Sequence, residues 1–537
     1  MSYGTMAAAS VLARGTFRQA SAQDLGNSSP SAVVHTTAGR VRGITRDKVN
    51  AFFGIPYGAS TAGPRRFMPP AKPDLWTGIR EAVEFGPKSP QGPWHFLFNE
   101  GAQSDRREPA SEDCLVLNVW TRGPGSGPRP VMVWLHGGAF TQGSGAMIIW
   151  DGENLARRHD VVVVTLNHRL DAFGFLYLAQ LGGEKYANSS NVGMQDIVAA
   201  LEWVRDNIAE FGGDPKNVTI FGQSGGGAKV STVLAMPSAK GLFHRAIVES
   251  GAWVKGLTKD AATKTAETYL GKLGMKPDQI DDLQNVPVDR LVAALGAPEF
   301  LTSGDPGLNW GPVVDGHYLP RNPFDPDAPE TSANIPLLVG TTETEVAGIK
   351  GMELEPMDDA ALHAHVKQVL RVADDSAVDR LIGVYRKGRP GASNTDLYLI
   401  LDSDATWRAG AMTEAERKAD QGAAPAYVYY FTWRSPVRDG KLRSFHTLEI
   451  PFVFDNVDLA TGMTGSGQER YALEDKISGA WVAFARTGNP NHNGLPNWPT
   501  FNTTQRATMI LDNECKVVND PHGEERRALA AARQLPG

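Results

Sequence analysis

The chain has 537 residues, 41% of them hydrophobic and 21% charged, which is ample material for a large globular core. A formal net charge of −7 argues against a nucleic-acid or anionic-membrane partner, and only two cysteines, Cys114 and Cys515, exclude a disulfide framework or a thiolate zinc site. No apolar run is long enough to span a bilayer.

Taken in chain order, residues 1–31 read as a leader. The stretch 5–13 is mildly apolar, and Ala20-Ser21-Ala22 resembles a signal-peptidase site. However, Arg14 and Arg18 interrupt the apolar stretch and no basic residue precedes it. Two readings stand: the remnant of an export signal, which favours a secreted or periplasmic location, or a disordered leader, which leaves a cytoplasmic one open. Residues 32–537 read as a single domain. A hairpin is expected from Val33-Val34-His35 and Arg40-Val41-Arg42. The near-continuous apolar runs at 131–135 and 161–166 predict parallel strands buried on both faces. Between Asp196 and Ile208 the apolar residues follow the helical period. Further strands are expected at 218–221, 246–248, 335–339 and 427–431, and a late helix at 475–487 stopped by Gly488 and Pro490. The span 258–306 reads as a mostly helical insertion covering the site. This alternation predicts an α/β fold, a mostly parallel, doubly wound sheet with helical insertions, whose ligands bind beyond the carboxyl ends of the strands.

The most specific local signal is Gly222-Gln223-Ser224-Gly225-Gly226, placed between the strand at 218–221 and a helix-compatible segment at 229–235. A serine between glycines at such a junction is a nucleophile elbow, a turn too tight for side chains beside the nucleophile. A serine hydroxyl needs a base, and His446 follows the strand at 427–431 after a polar loop. A structural loop histidine is the alternative reading. The carboxylate that orients the base should lie between them, and Glu343 and Glu345 both follow the strand at 335–339. The residues alone leave that choice open. The strand at 131–135 runs into His136-Gly137-Gly138-Ala139-Phe140, whose glycines can turn backbone amides towards an oxyanion, with Gly225 supplying a third. His363 and His365 are two apart on an expected helix and point to different faces, so they cannot share a metal. There is no zinc-protease, phosphate-loop or dinucleotide signature, and no metal or cofactor is called for.

These pieces together resemble the type-B carboxylesterases, the branch of the α/β-hydrolase superfamily that includes cholinesterases and bacterial p-nitrobenzyl esterases. The resemblance runs from Gly39 to about Asp512. It rests on ordered blocks: Phe53-Gly54-Ile55-Pro56-Tyr57, Ser111-Glu112-Asp113-Cys114-Leu115, the His136 loop, Asn167-His168-Arg169-Leu170, Phe211-Gly212-Gly213-Asp214-Pro215, Pro312-Val313-Val314-Asp315-Gly316, and Glu449-Ile450-Pro451-Phe452. It implies a serine carboxylic-ester hydrolase acting on small-molecule esters through an acyl-enzyme. Its triad would be Ser224, His446 and Glu345, the acid being assigned by the family's Gly-Thr-Thr-x-x-Glu-Gly pattern, although Val346 replaces the last glycine. Gly137, Gly138 and Gly225 would form the oxyanion hole, and Ser250 would support the acid side.

Three departures stand out. Gln223 replaces the usual glutamate beside the nucleophile. Cys114 lacks its disulfide partner, because the segment that carries it in relatives reads Gly86-Pro87-Lys88-Ser89-Pro90 here. The capping loop at 90–111 is therefore expected to be free of a cross-link. The same machinery could act on a carbamate, amide or lactone, and some relatives are non-catalytic binding proteins, which typically lose the serine that this chain keeps. Substrate preference is expected to depend on loops around Trp94, 147–150, 300–310 and 397–407.

Overall fold

The computed structural model describes residues 28–92, 108–124, 127–296, 308–348, 356–371 and 374–533. Trp94, most of the 90–111 loop, residues 300–307 and the leader before residue 28 lie outside the described residues. The strands are β1 (Ser29–His35), β2 (Arg40–Arg46), β3 (Val49–Pro56), β4 (Ile79–Glu81), β5 (Val116–Thr121), β6 (Arg129–Leu135) and β7 (Val162–Leu166). They continue with β8 (Gly213–Gln223), β9 (Arg245–Glu249), β10 (Leu337–Thr342), β11 (Ala426–Phe431), β12 (Ala507–Leu511) and β13 (Lys516–Asn519). All join one sheet in the order β1-β2-β3-β5-β7-β6-β8-β9-β10-β11-β12-β13, with β4 beside β2. From β7 to β12 every pairing is parallel, and the pairings outside that block are antiparallel except β2 with β4. This is the α/β-hydrolase architecture that the sequence implied.

The parallel strands are continuous apolar runs because both of their faces are covered. Along β6, Val131, Val133 and Leu135 enter one core cluster while Met132 and Trp134 enter the other. Helices Val192–Asn207, Gly225–Leu234 and Ala409–Gln421 pack residues into the first cluster, and Glu153–His159 and Glu469–Thr487 into the second. The insertion is helical where described, with Lys259–Lys272 and Val288–Ala293 flanking the 3-10 turn Pro277–Asn285.

Differences from expectation are local. The strand expected at 335–339 is β10 (Leu337–Thr342), since its pairing with β9 starts at Leu337 opposite Ala246. The helix after the elbow begins at Gly225 rather than Lys229. Three successive glycines have poor helix propensity, but the turn itself launches the helix, and tertiary packing overrides the weak local preference. The late helix starts earlier, at Glu469, and ends as expected where Gly488 adopts φ 79° and its N–H bonds Phe484 O.

The register aligns the carboxyl ends of the strands that carry the motifs. Leu135 of β6 faces Gly222 of β8, Gln223 faces Glu249 of β9, and Glu249 is also opposite Gly340 of β10. The segments that leave these strands therefore emerge at one edge of the sheet.

Candidate active site

Ser224 caps β8 with φ 59° and ψ −126°, a backbone conformation that non-glycine residues rarely adopt. It is held there by its N–H donating to Glu249 O at 2.8 Å and its carbonyl accepting from Ala228 N at 3.0 Å. The flanking glycines are required by close approach rather than by φ. A Cβ on Gly222 would lie 2.6 Å from both Leu135 O and the carbonyl carbon of Gly226. One on Gly226 or Gly225 would strike the backbone of Leu135 or Ala139. The helix Gly225–Leu234 thus starts against the end of β6, its N-terminal amides and dipole directed at the space beside Ser224.

The two carboxylates that the residues alone left open, of which the family pattern pointed to Glu345, are separated by their partners. Glu345 Oε2 lies 2.5 Å from His446 Nδ1, and its Oε1 accepts from Thr342 N at 2.8 Å. Both side chains are buried. Glu343 turns the other way, into ion pairs with Arg389 at 2.9 Å and Arg434 at 3.3 Å. A single bridge between Thr344 and Phe445 ties the Glu345 loop to the His446 loop. With Nδ1–H donating to Glu345, Nε2 carries the lone pair. The Gln223 amide nitrogen sits 3.3 Å from both ring nitrogens of His446, and the Ser224 hydroxyl has no hydrogen-bond partner among the described residues. Catalytic hydrogen bonds are often unmade without substrate. Trp407, at the π-helical turn Asp404–Arg408, covers the imidazole with ring centroids 4.4 Å apart.

Behind the imidazole lie two more buried carboxyls. Ser250 donates to Glu449 Oε1 at 3.2 Å, and Trp481 Nε1 donates to Glu249 Oε1 at 2.8 Å. Burial, followed by the charges of Glu345 and Glu249, drives Glu449 well above the usual carboxylate range, and burial pushes Glu249 up to about 8. Desolvated like charges cannot all be held together, so Glu449 and Glu249 are favoured in their neutral forms.

The loop His136–Phe140 lies on the elbow: a Cβ on Gly137 would be 3.0 Å from Gln223 O and 3.5 Å from Ser224 Cβ. Gly138 and Ala139 take positive φ, 91° and 50°. The N–H groups of Gly137, Gly138 and Gly225 have no acceptor among the described residues. A serine hydroxyl without a partner, a buried His–Glu pair and three amides without acceptors, brought to one sheet edge, are the kinds of group that acyl transfer requires.

The carboxylesterase family model matches residues 30–529. The chain belongs to the carboxylesterase family. The para-nitrobenzyl esterase of Bacillus subtilis is 37% identical over 505 residues, covering 93% of this chain and 98% of that one. The phenmedipham hydrolase of Pseudarthrobacter oxydans is 33% identical and covers 90% and 95%. Among solved structures, a Geobacillus stearothermophilus carboxylesterase superposes with a TM-score of 0.79 at 36% identity, covering 93% of this chain and all of that one.

This carboxylesterase carries its family departures into the structure. Cys114 is a buried free thiol, its pKa pushed up to about 12 chiefly by desolvation, and the Ser89 hydroxyl is hydrogen-bonded to it. Of the expected specificity loops, 147–150 and 397–407 are described; Ile149 and Trp150 pack into the core, whereas Trp407 is half-buried against His446. His363 and His365 make separate contacts, with Asp379 and with Tyr398. Sequence reasoning missed the approach of Gln223 to His446 and the fully buried Lys229 behind the His136–Phe140 loop. The first had no sequence signal. The second had one, a lysine that is the single charged residue of the helix Gly225–Leu234.

Proposed function

We propose that this carboxylesterase hydrolyses small neutral carboxylic esters through an acyl-enzyme on Ser224. His446 Nε2 takes the hydroxyl proton as Ser224 Oγ bonds the carbonyl carbon, and the carbonyl electron pair moves to oxygen. The N–H groups of Gly137, Gly138 and Gly225 receive that oxyanion. Collapse restores the carbonyl and breaks the bond to the alcohol, which leaves with the proton from His446. Water repeats the sequence on the acyl-enzyme and releases the acid. Glu345 keeps the ring in the tautomer with Nδ1 protonated and stabilises the imidazolium. In the first step the Ser224 hydroxyl donates to the Nε2 lone pair.

The observation that carries this reading is the buried 2.5 Å contact between His446 Nδ1 and Glu345 Oε2, at the sheet edge where Ser224 adopts its φ of 59°. Neutral substrates are favoured because Gln223 puts an amide dipole where a carboxylate would attract a cation. A panel of matched ester, carbamate and anilide substrates, run on wild type and Ser224→Ala, tests it. Ester turnover lost in the variant is expected. Retained ester turnover, or a wild type that prefers the anilide, would overturn it.

A further inference from the structure

Lys229 lies inside the helix that follows the nucleophile and is fully buried. Its Nζ is 2.8 Å from the carbonyl oxygen of His136 and 5.8 Å from the centroid of the Phe140 ring. No acidic side chain pairs with it among the described residues. Next to it, His136 and His168 stack with centroids 4.9 Å apart, and neither Nε2 has a hydrogen-bond partner among the described residues. Desolvation holds the lysine well below its ordinary range, and desolvation with the lysine's own charge does the same to both imidazoles. An apolar side chain would fill this space without the penalty of burying an amine.

We propose that Lys229 is a positioning residue for the oxyanion hole, aligning the Gly137 amide by holding the His136 carbonyl; this rests on the reading of Gly137, Gly138 and Gly225 as the oxyanion donors. In a trans peptide the carbonyl of one residue and the N–H of the next lie in one plane and point in opposite directions. An anchored His136 oxygen therefore directs the Gly137 N–H away from Lys229. The next peptide is anchored in the same way, by His136 Nδ1 against Gly137 O at 2.8 Å, and it carries the Gly138 N–H. The strand ladder cannot do this work, because the pairing of β6 with β8 ends at Leu135. Beyond it Gly138 and Ala139 leave the extended region, with φ 91° and 50°. Donation to the His136 oxygen also polarises that amide and strengthens its N–H as a donor.

The test replaces Lys229 by Met, close in size and apolar, and by Gln, which is one bond too short to reach the same oxygen. Active sites are titrated with a fluorophosphonate, and kcat and KM are measured per titrated site on a p-nitrophenyl ester. The inhibition constant of a trifluoromethyl ketone, whose adduct with Ser224 presents an oxyanion to the same amides, is measured alongside the melting temperature. Both variants are expected to lose at least tenfold in kcat with KM within threefold, and to bind the ketone more weakly by the same factor. Lys229→Met removes a buried amine but leaves the His136 carbonyl unpaired, so its melting temperature should stay close to that of wild type. A kcat per site within threefold of wild type overturns the proposal. So does a loss that follows the melting temperature or the titrated fraction while ketone affinity is unchanged, which is what a packing role would give. Ser224→Ala separates the two layers: if it stays active, the underlying mechanism fails, whereas if only the Lys229 variants behave like wild type, the positioning role alone fails.

Discussion

Gly222→Ala places one methyl group between β6, which leads to the His136–Phe140 loop, and the helix that follows Ser224. Its carbon would lie 2.6 Å from Leu135 O and 2.6 Å from the carbonyl carbon of Gly226, where ordinary contact begins at 3.4 Å. About 0.8 Å of movement, the difference between those distances, must be found on one side or the other. Neither side has a flexible side chain to move. Displacing Leu135 shifts His136 and Gly137; displacing Gly226 shifts Ser224 and Gly225. Misplacement of this size at a reacting centre costs up to about a hundredfold in rate, and forced overpacking costs roughly 1–3 kcal/mol in stability. The assay is kcat/KM on p-nitrophenyl butyrate with thermal unfolding in parallel, using Gly383→Ala as the control. Gly383 lies in helix Asp375–Gly388 with nothing within 4 Å of an added Cβ, so that variant should keep its activity and gain roughly 0.5–1 kcal/mol. Activity of Gly222→Ala within threefold of wild type would refute the argument that close backbone packing holds the nucleophile in register with the oxyanion loop.

Three further outcomes are expected. Glu345→Gln should reduce kcat by about 10³ to 10⁴, as removing the orienting carboxylate does in other triads, while Glu343→Gln, whose ion pairs face Arg389 and Arg434, should stay within threefold; a reversed pair of results would move the acid to Glu343. Glu249 has a folded value of about 8, above the unfolded ~4.3, so the folded chain binds the extra proton and stability falls as pH rises between the two, by at most ~1.4 kcal/mol per unit. Glu249→Gln, which keeps an acceptor for Trp481, should therefore gain stability relative to wild type as pH goes from 5 to 8 in chemical denaturation, and a constant difference would contradict the burial argument. Gln223→Glu should raise the kcat/KM ratio of butyrylcholine to a neutral isostere at least tenfold, given the few kcal/mol that a charge is worth at such distances in a partly desolvated site; an unmoved ratio assigns charge preference to other groups.

The sheet was largely legible because burial on both faces produces continuous apolar runs, as at Val131 to Leu135, where alternate residues feed opposite cores. The elbow was legible because its glycines are forced by backbone contacts that no side chain can share. What was not legible depends on partners far away in the chain. Glu343 and Glu345 follow the same strand, so residue chemistry alone did not separate them; the family pattern pointed to Glu345, and the physical difference lies in their partners Arg389, Arg434 and His446. The bounds of β10 moved because register rather than local propensity sets them: pairing with β9 starts at Leu337, and pairing with β11 runs on to Thr342. Likewise Trp407 reaches His446 through a π-helical turn that composition does not reveal.

The most direct test of the central claim is the mass of the enzyme quenched during turnover of a slowly deacylating ester. The account predicts one acyl group per chain, mapped by peptide analysis to Ser224 and absent from Ser224→Ala. Undiminished turnover with no adduct, or an adduct on another residue, would contradict it.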